Sequence, residues 1–146
     1  ATIAGLGFGN SMAALAHGLG HAIGALLPIP HGRAVGLCLP YTIEFTAAAM
    51  GERYADLLRF IGTTNVSAES AAQVLAARIR DLARAAGQPT ALRELGVTPS
   101  QLEAALPKLV ENAESDATLV ISARIPESAE LQQLYRYAYE GKSIDF

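Results

Sequence analysis

Apolar and small residues fill the stretch from about Thr2 to Leu27 without strand-like alternation, which predicts one long helix, apolar on most faces and central in the fold. Its glycines, Gly5, Gly7, Gly9, Gly18, Gly20 and Gly24, each cost about 1 kcal/mol against Ala inside a helix, so close backbone packing or access for a ligand is the expected compensation. A turn at residues 28–32, Pro-Ile-Pro-His-Gly, leads into a second apolar helix from about Arg33 to Ala47, with a distortion expected at Pro40, which has no N–H to contribute. A third helix is read from about Gly51 to Phe60. Ser67 and Ser70 open an amphipathic helix that runs to Ala86 and stops at Gly87, with Arg78, Arg80 and Arg84 on solvated positions. Pro89 to Leu95 reads as a short helix or turn closed by Gly96. Thr98-Pro99 supplies an N-cap and a first-turn proline for a helix to about Asn112. Residues 115–126 hold the one stretch of β-like composition, too short for a sheet, and a last helix from about Glu127 to Tyr139 carries the stripe Leu131, Leu134, Tyr135 and Ala138. The pattern predicts an all-α fold, a bundle of about seven helices in a single domain over residues 1–146.

Composition narrows the function classes. A chain of 146 residues fits one domain, and 51% apolar against 17% charged residues excludes a disordered tail. With a net charge of -3 and scattered Lys and Arg, there is no electrostatic footprint for nucleic acid or an anionic membrane, and neither is expected as a partner. Residues 1–30 contain no Asp, Glu, Lys or Arg, yet Asn10, Ser11, His17 and His21 interrupt the run and Pro28 and Pro30 close it. A buried helix is therefore expected rather than a membrane span or secretion signal. The single Cys38, in the apolar setting Gly-Leu-Cys-Leu-Pro, reads as core and can form no internal disulfide, so a cytoplasmic location is the expectation. The sequence opens on Ala1 rather than Met, as a piece of a longer chain would.

All three histidines, His17, His21 and His31, fall within fifteen residues, and that concentration is the main chemical signal. At i and i+4 on a helix, His17 and His21 project from one face one turn apart, a spacing that suits shared metal coordination or a ligand beside an acid–base group. Imidazole nitrogen suits Fe, Zn, Cu or Ni, and His31, placed in the turn after Pro30, folds back toward the same face. The plainer alternative is three core histidines bonded to backbone carbonyls, or an exposed patch of them. A catalytic metal site takes three or four protein groups and an open position, whereas carboxylates are few here and Glu44 is the nearest in sequence, so the ligand set reads as incomplete. Gly18-Leu19-Gly20 with Gly24, and Gly5-Leu6-Gly7 with Gly9, imitate a dinucleotide fingerprint but follow no strand and lack its spacing. Gly9-Asn10-Ser11 is no nucleophile elbow, and no acidic partner completes a Ser-His arrangement.

Residues 7–45, GFGNSMAALAHGLGHAIGALLPIPHGRAVGLCLPYTIEF, resemble the signature of iron-containing (group III) alcohol dehydrogenases. That pattern is an apolar helix entering an H-G-x-x-H unit, then Gly, then a Pro-His-Gly turn ten residues after the second His, then Leu-Pro. His17, His21, Gly24, Pro30-His31-Gly32 and Leu39-Pro40 follow it in order and spacing. The run from Leu92 to Val97 is similar to the family's L-x-x-L-G-[VI] turn. Asp116 to Tyr139 resembles its closing segment, with Ser122-Ala123-Arg124 where Thr-Asn-Pro-Arg is usual.

The resemblance implies the C-terminal all-helical domain of a dehydroquinate synthase-like architecture, with the N-terminal nicotinamide-binding domain absent from this chain. It implies that His17 and His31 are two of four ligands to a divalent metal, Fe(II) or in some members Zn(II), with an Asp and a His upstream as the other two. His21 matches the family's non-ligand active-site histidine, and Phe8 an aromatic lining the substrate pocket. The chemistry implied is hydride exchange between NAD or NADP, bound mainly by the absent domain, and a small alcohol, aldehyde or ketone, with the metal as Lewis acid on the oxygen. A homodimer is also implied, and the chain alone is expected to be inactive. The alternative is a stand-alone helical metal-binding or interaction module without redox activity. Glycerol dehydrogenase and maleylacetate reductase share the architecture, and the HGLGH and PHG units favour the alcohol dehydrogenase branch.

Overall fold

A left-handed residue splits the segment read as one helix. In the computed structural model, which describes residues 2–146, Met12 has φ 61° and separates α1 (Thr2–Ser11) from α2 (Leu15–Leu26). Just before the break Asn10 Nδ2 and Ser11 Oγ donate to the carbonyls of Leu6 and Gly7, a back-bonding that weakens a glycine-rich helix end. The expectation of a central helix holds for α2, which buries Leu15, Leu19, Ala22 and Ile23, and fails for α1, which buries nothing. A Cβ at Gly5, Gly7 or Gly9 would meet open space, so those glycines serve no packing contact. Ala1 lies outside the described residues.

The chain turns back at Ile29, buried beside the proline pair, and Pro30 caps α3 (His31–Phe45). His31 therefore opens a helix rather than sitting in a turn. The distortion expected at Pro40 does not interrupt α3, which carries that proline inside it. At Thr46 the direction changes by 110° into α4 (Ala47–Phe60), four residues earlier than the sequence suggested. The Thr46 hydroxyl donates back to the Thr42 carbonyl at 2.7 Å and meets Tyr54 Oη at 2.6 Å, so the corner is held by side-chain bonds.

Helix α5 (Ala68–Ala85) ends before Gly87, in the left-handed region at φ +67°. A 3-10 turn at Leu92–Leu95 closes on Gly96 at φ +80°. Helix α6 (Pro99–Glu114) has the predicted start: Gln101 N donates to Thr98 Oγ1, and Thr98 N donates to Gln101 Oε1. The β-like stretch forms one 3-10 turn, Leu119–Ile121, because only Leu119 reaches the core while Val120 and Ile121 stay exposed. Helix α7 (Ser128–Glu140) buries the expected stripe Leu131, Leu134, Tyr135 and Ala138. Among the described residues the fold is all-helical, with seven α-helices and no strand. None of these helices is singly long and apolar enough to cross a membrane.

Helix α3 stands between two cores. Ala34, Leu37, Cys38, Tyr41 and Phe45 face a cluster shared with α2, α6 and α7, whereas Ile43 joins Leu58, Ala72 and Leu75 of α4 and α5. Cys38 is buried as expected, and desolvation pushes its thiol up to about 12.

Between the cores lies the charge that the sequence misplaced. Arg80, expected on a solvated face, is 7% exposed and bonds Glu44 through both ends of its guanidinium, at 2.6 and 2.9 Å. It also sits 4.7 Å from the centre of the Tyr41 ring, and Ile144 N donates to Glu44 Oε2 at 3.0 Å. A helical wheel counts Arg as outward and cannot see a carboxylate 36 residues away in another helix. Removing one partner strands a desolvated charge, so Arg80→Met is expected to lower unfolding free energy by about 3–5 kcal/mol in denaturant melts. Arg84→Ala, which breaks only an exposed pair with Asp81, should shift it by about 0–1 kcal/mol.

Candidate active site

Gly20 decides where the histidines meet. A Cβ there would lie 2.6 Å from Val35 Cγ2 and 2.9 Å from the Val35 backbone, so α2 and α3 touch at a distance only glycine allows. His21 follows this contact, His17 lies one turn earlier on α2, and His31 stands at the first position of α3. Their ring centres are 5.5 Å apart for His17 and His21, 5.5 Å for His17 and His31, and 5.2 Å for His21 and His31. Phe8 of α1 stacks on His17 with centroids 5.7 Å apart. All four residues line one pocket, together with Met12, Ala13 and Thr118. The structure thus brings His17, His21, His31 and Phe8 into one place.

A carboxylate joins them that sequence reasoning did not single out. His21 Nδ1 is 2.7 Å from Asp116 Oδ2, and Asp116 Oδ1 accepts from Thr118 N at 2.8 Å and Thr118 Oγ1 at 2.7 Å. Burial raises the Asp116 pKa, but the Thr118 and His21 hydrogen bonds outweigh it and hold the carboxyl below its ordinary value. An ionised Asp116 can only accept, so in the neutral ring Nδ1 of His21 carries the proton and Nε2 is left as the acceptor. The Asp-x-Thr spacing, a signature of a local side-chain turn, was the available signal. Glu44, nearest to the histidines in sequence, is committed to Arg80 in the interior.

The donor chemistry fits part of a metal shell. Desolvation, then the neighbouring His21 and His31, lower the His17 pKa against the pull of Asp116, which favours the neutral ring that a metal requires. With a metal–nitrogen length of about 2.0–2.1 Å, two imidazoles sharing an ion at a tetrahedral angle place their ring centres roughly 5 Å apart, near the observed spacings. Among the described residues no group of three or more His, Cys, Asp or Glu is arranged to hold an ion. All three ring pairs satisfy the spacing, so geometry by itself does not divide ligands from non-ligands.

Residues 1–139 match the family model for the Fe-containing alcohol dehydrogenase family, C-terminal. The chain is 28% identical over 144 residues to the NADPH-dependent butanol dehydrogenase of Clostridium saccharobutylicum, covering 99% of this chain and 37% of that protein. It is 31% identical over 139 residues to the lactaldehyde reductase of Escherichia coli (strain K12), covering 94% and 35% respectively. The solved alcohol dehydrogenase from Oenococcus oeni superposes with a TM-score of 0.82 at 27% identity, over 93% of this chain and 35% of that one. The chain therefore spans little more than a third of the length of the curated relatives it matches.

Two consequences of this geometry are measurable. Gly20→Ala forces α2 away from the Val35 backbone and should lower stability by about 1–3 kcal/mol, read as a fall in melting temperature. Nitrogen-15 NMR should find the neutral His21 ring protonated at Nδ1, and Asp116→Ala should move that proton toward Nε2. An unchanged tautomer in the variant would refute the orienting contact.

Proposed function

Because the chain belongs to the Fe-containing alcohol dehydrogenase family, we propose that it is the metal-binding helical part of an NAD(P)-dependent oxidoreductase interconverting small alcohols with aldehydes or ketones. The observation that carries this reading is the convergence of three imidazoles and an aromatic ring on one pocket. A homodimer, with no nucleic-acid or membrane partner, belongs to the same reading.

His17 and His31 are proposed as metal ligands, one from each of the two helices that Gly20 brings together. A divalent ion held by these two imidazoles, Fe(II) or Zn(II), would supply Lewis-acid polarisation of the substrate oxygen, and a bound nicotinamide would supply the hydride donor or acceptor. The remaining ligands and most nicotinamide contacts are assigned to residues outside these 146, in an N-terminal domain, so the chain alone is inactive in this reading. The third imidazole has a different task. Asp116 fixes the His21 ring and its tautomer, which leaves Nε2 to accept a proton from the alcohol or relay it to solvent. Phe8, stacked on His17 and 50% exposed, presents a ring face to the substrate and keeps water from that side.

Histidine replacements in the full-length protein separate these roles. His17→Ala and His31→Ala should each lower metal affinity by more than the roughly 10–100-fold typical of outer-sphere partners, measured by metal analysis after dialysis. His21→Gln should retain metal and lose about 10²–10⁴-fold in kcat. Undiminished metal in the first two variants would remove the proposed ligand pair. Tight Fe(II) or Zn(II) binding by the 146-residue chain alone would favour a stand-alone metal module instead.

A further inference from the structure

The turn that follows α6 is pinned along its whole length. Asp116 N donates to the Ala113 carbonyl in the last turn of α6 at 3.1 Å, and the Asp116 carbonyl accepts from Leu119 N at 3.0 Å. Leu119, 4% exposed, anchors the far end in the larger core. The side chain of Asp116 is tied as well. Its Oδ1 takes two bonds from one residue, Thr118 N at 2.8 Å and Thr118 Oγ1 at 2.7 Å, and Oδ2 is left to His21 Nδ1 at 2.7 Å. The hydroxyl also lies against the histidine-bearing helix itself, since a Cβ added at Gly18 would come within 3.4 Å of Thr118 Oγ1.

We infer that the Thr118 hydroxyl is a positioning group for the His21 imidazole: it sets the plane of the Asp116 carboxylate and, through it, the ring that exchanges a proton with the alcohol. For its effect on turnover the inference rests on the oxidoreductase reading. The physical reason is torsional. The last torsion of an aspartate is broad and roughly two-fold, so a single bond from Thr118 N leaves the carboxylate free to swing. A second donor on the same oxygen narrows that swing and aims Oδ2 at Nδ1. Burial pushes the Asp116 carboxyl up, and among the contacts that pull it below its ordinary value the Thr118 hydroxyl comes first. Any residue except proline would supply the backbone donor at position 118. The hydroxyl is the part that depends on which residue stands there.

The test compares two variants of the full-length protein. Thr118→Val keeps the branched shape and the backbone donor and loses the hydroxyl, whereas Thr118→Ser keeps the hydroxyl. Thr118→Val should lower kcat roughly 10-fold, the low end of the ~10–100-fold typical when a partner outside the ligand shell is removed, with KM and bound metal unchanged. In nitrogen-15 NMR of the zinc-loaded protein, the neutral His21 ring should then populate both tautomers instead of Nδ1–H alone. Thr118→Ser should match the parent in both readouts. A fall in kcat with an unmoved tautomer, or a serine variant no better than the valine one, would overturn the inference, because a purely structural role for Thr118 produces either result. Parent-like kcat and tautomer in Thr118→Val would also overturn it and leave the oxidoreductase reading standing. If the parent protein oxidises no alcohol while the tautomer still answers to the hydroxyl, the positioning role stands and the oxidoreductase reading falls.

Discussion

The contact between α2 and α3 at Gly20 and Val35 is the constraint from which the rest of the site follows. Two helix backbones packed this closely cannot slide past one another without a clash, so the relative register of their side chains is fixed. His17 and His21 come from one helix and His31 from the start of the next, and only this register brings the rings within 5.2–5.5 Å of each other. The tight return through Ile29 and Pro30 serves the same end. Ile29 anchors the loop in the core, and Pro30 sets the first turn of α3 so that its opening residue points back at α2.

Helix existence and most helix ends were legible because they depend on local chemistry. The Thr98-Pro99 cap, the Gly87 and Gly96 stops and the buried stripe on α7 each need only a few neighbouring residues, and the sequence displays those neighbours side by side. The departures have a common cause. Arg80 is interior because of Glu44, a partner 36 residues away, and residues 115–126 make only a short turn because a single side chain, Leu119, finds room in the core. Three-dimensional partners decided both, and periodicity carries no information about them.

The candidate site shows the same division. Histidine clustering was visible along the chain, and so was the return of the chain at the proline pair, although His31 opens α3 instead of lying in the turn. The orienting carboxylate was not, since Asp116 lies 95 residues from His21 in sequence. The break at Met12 also escaped, although it matters for the site: it sets α1 at an angle that lays Phe8 against His17 instead of continuing the helix past it. One imidazole is thereby covered by an aromatic ring, another is held by a carboxylate, and the third opens a helix. Three chemically identical side chains acquire three different environments within one pocket.

The buried Glu44–Arg80 pair ties together more than two helices. It lies where α3, which serves both apolar clusters, meets α5 of the smaller one, and the same carboxylate takes the amide of Ile144 packed on the larger one. Each charge gave up its water to enter the interior, so each is tolerated there only while the other stays in place. A substitution that strands either one would therefore loosen both clusters, and with them the helix α3 whose first residue is His31.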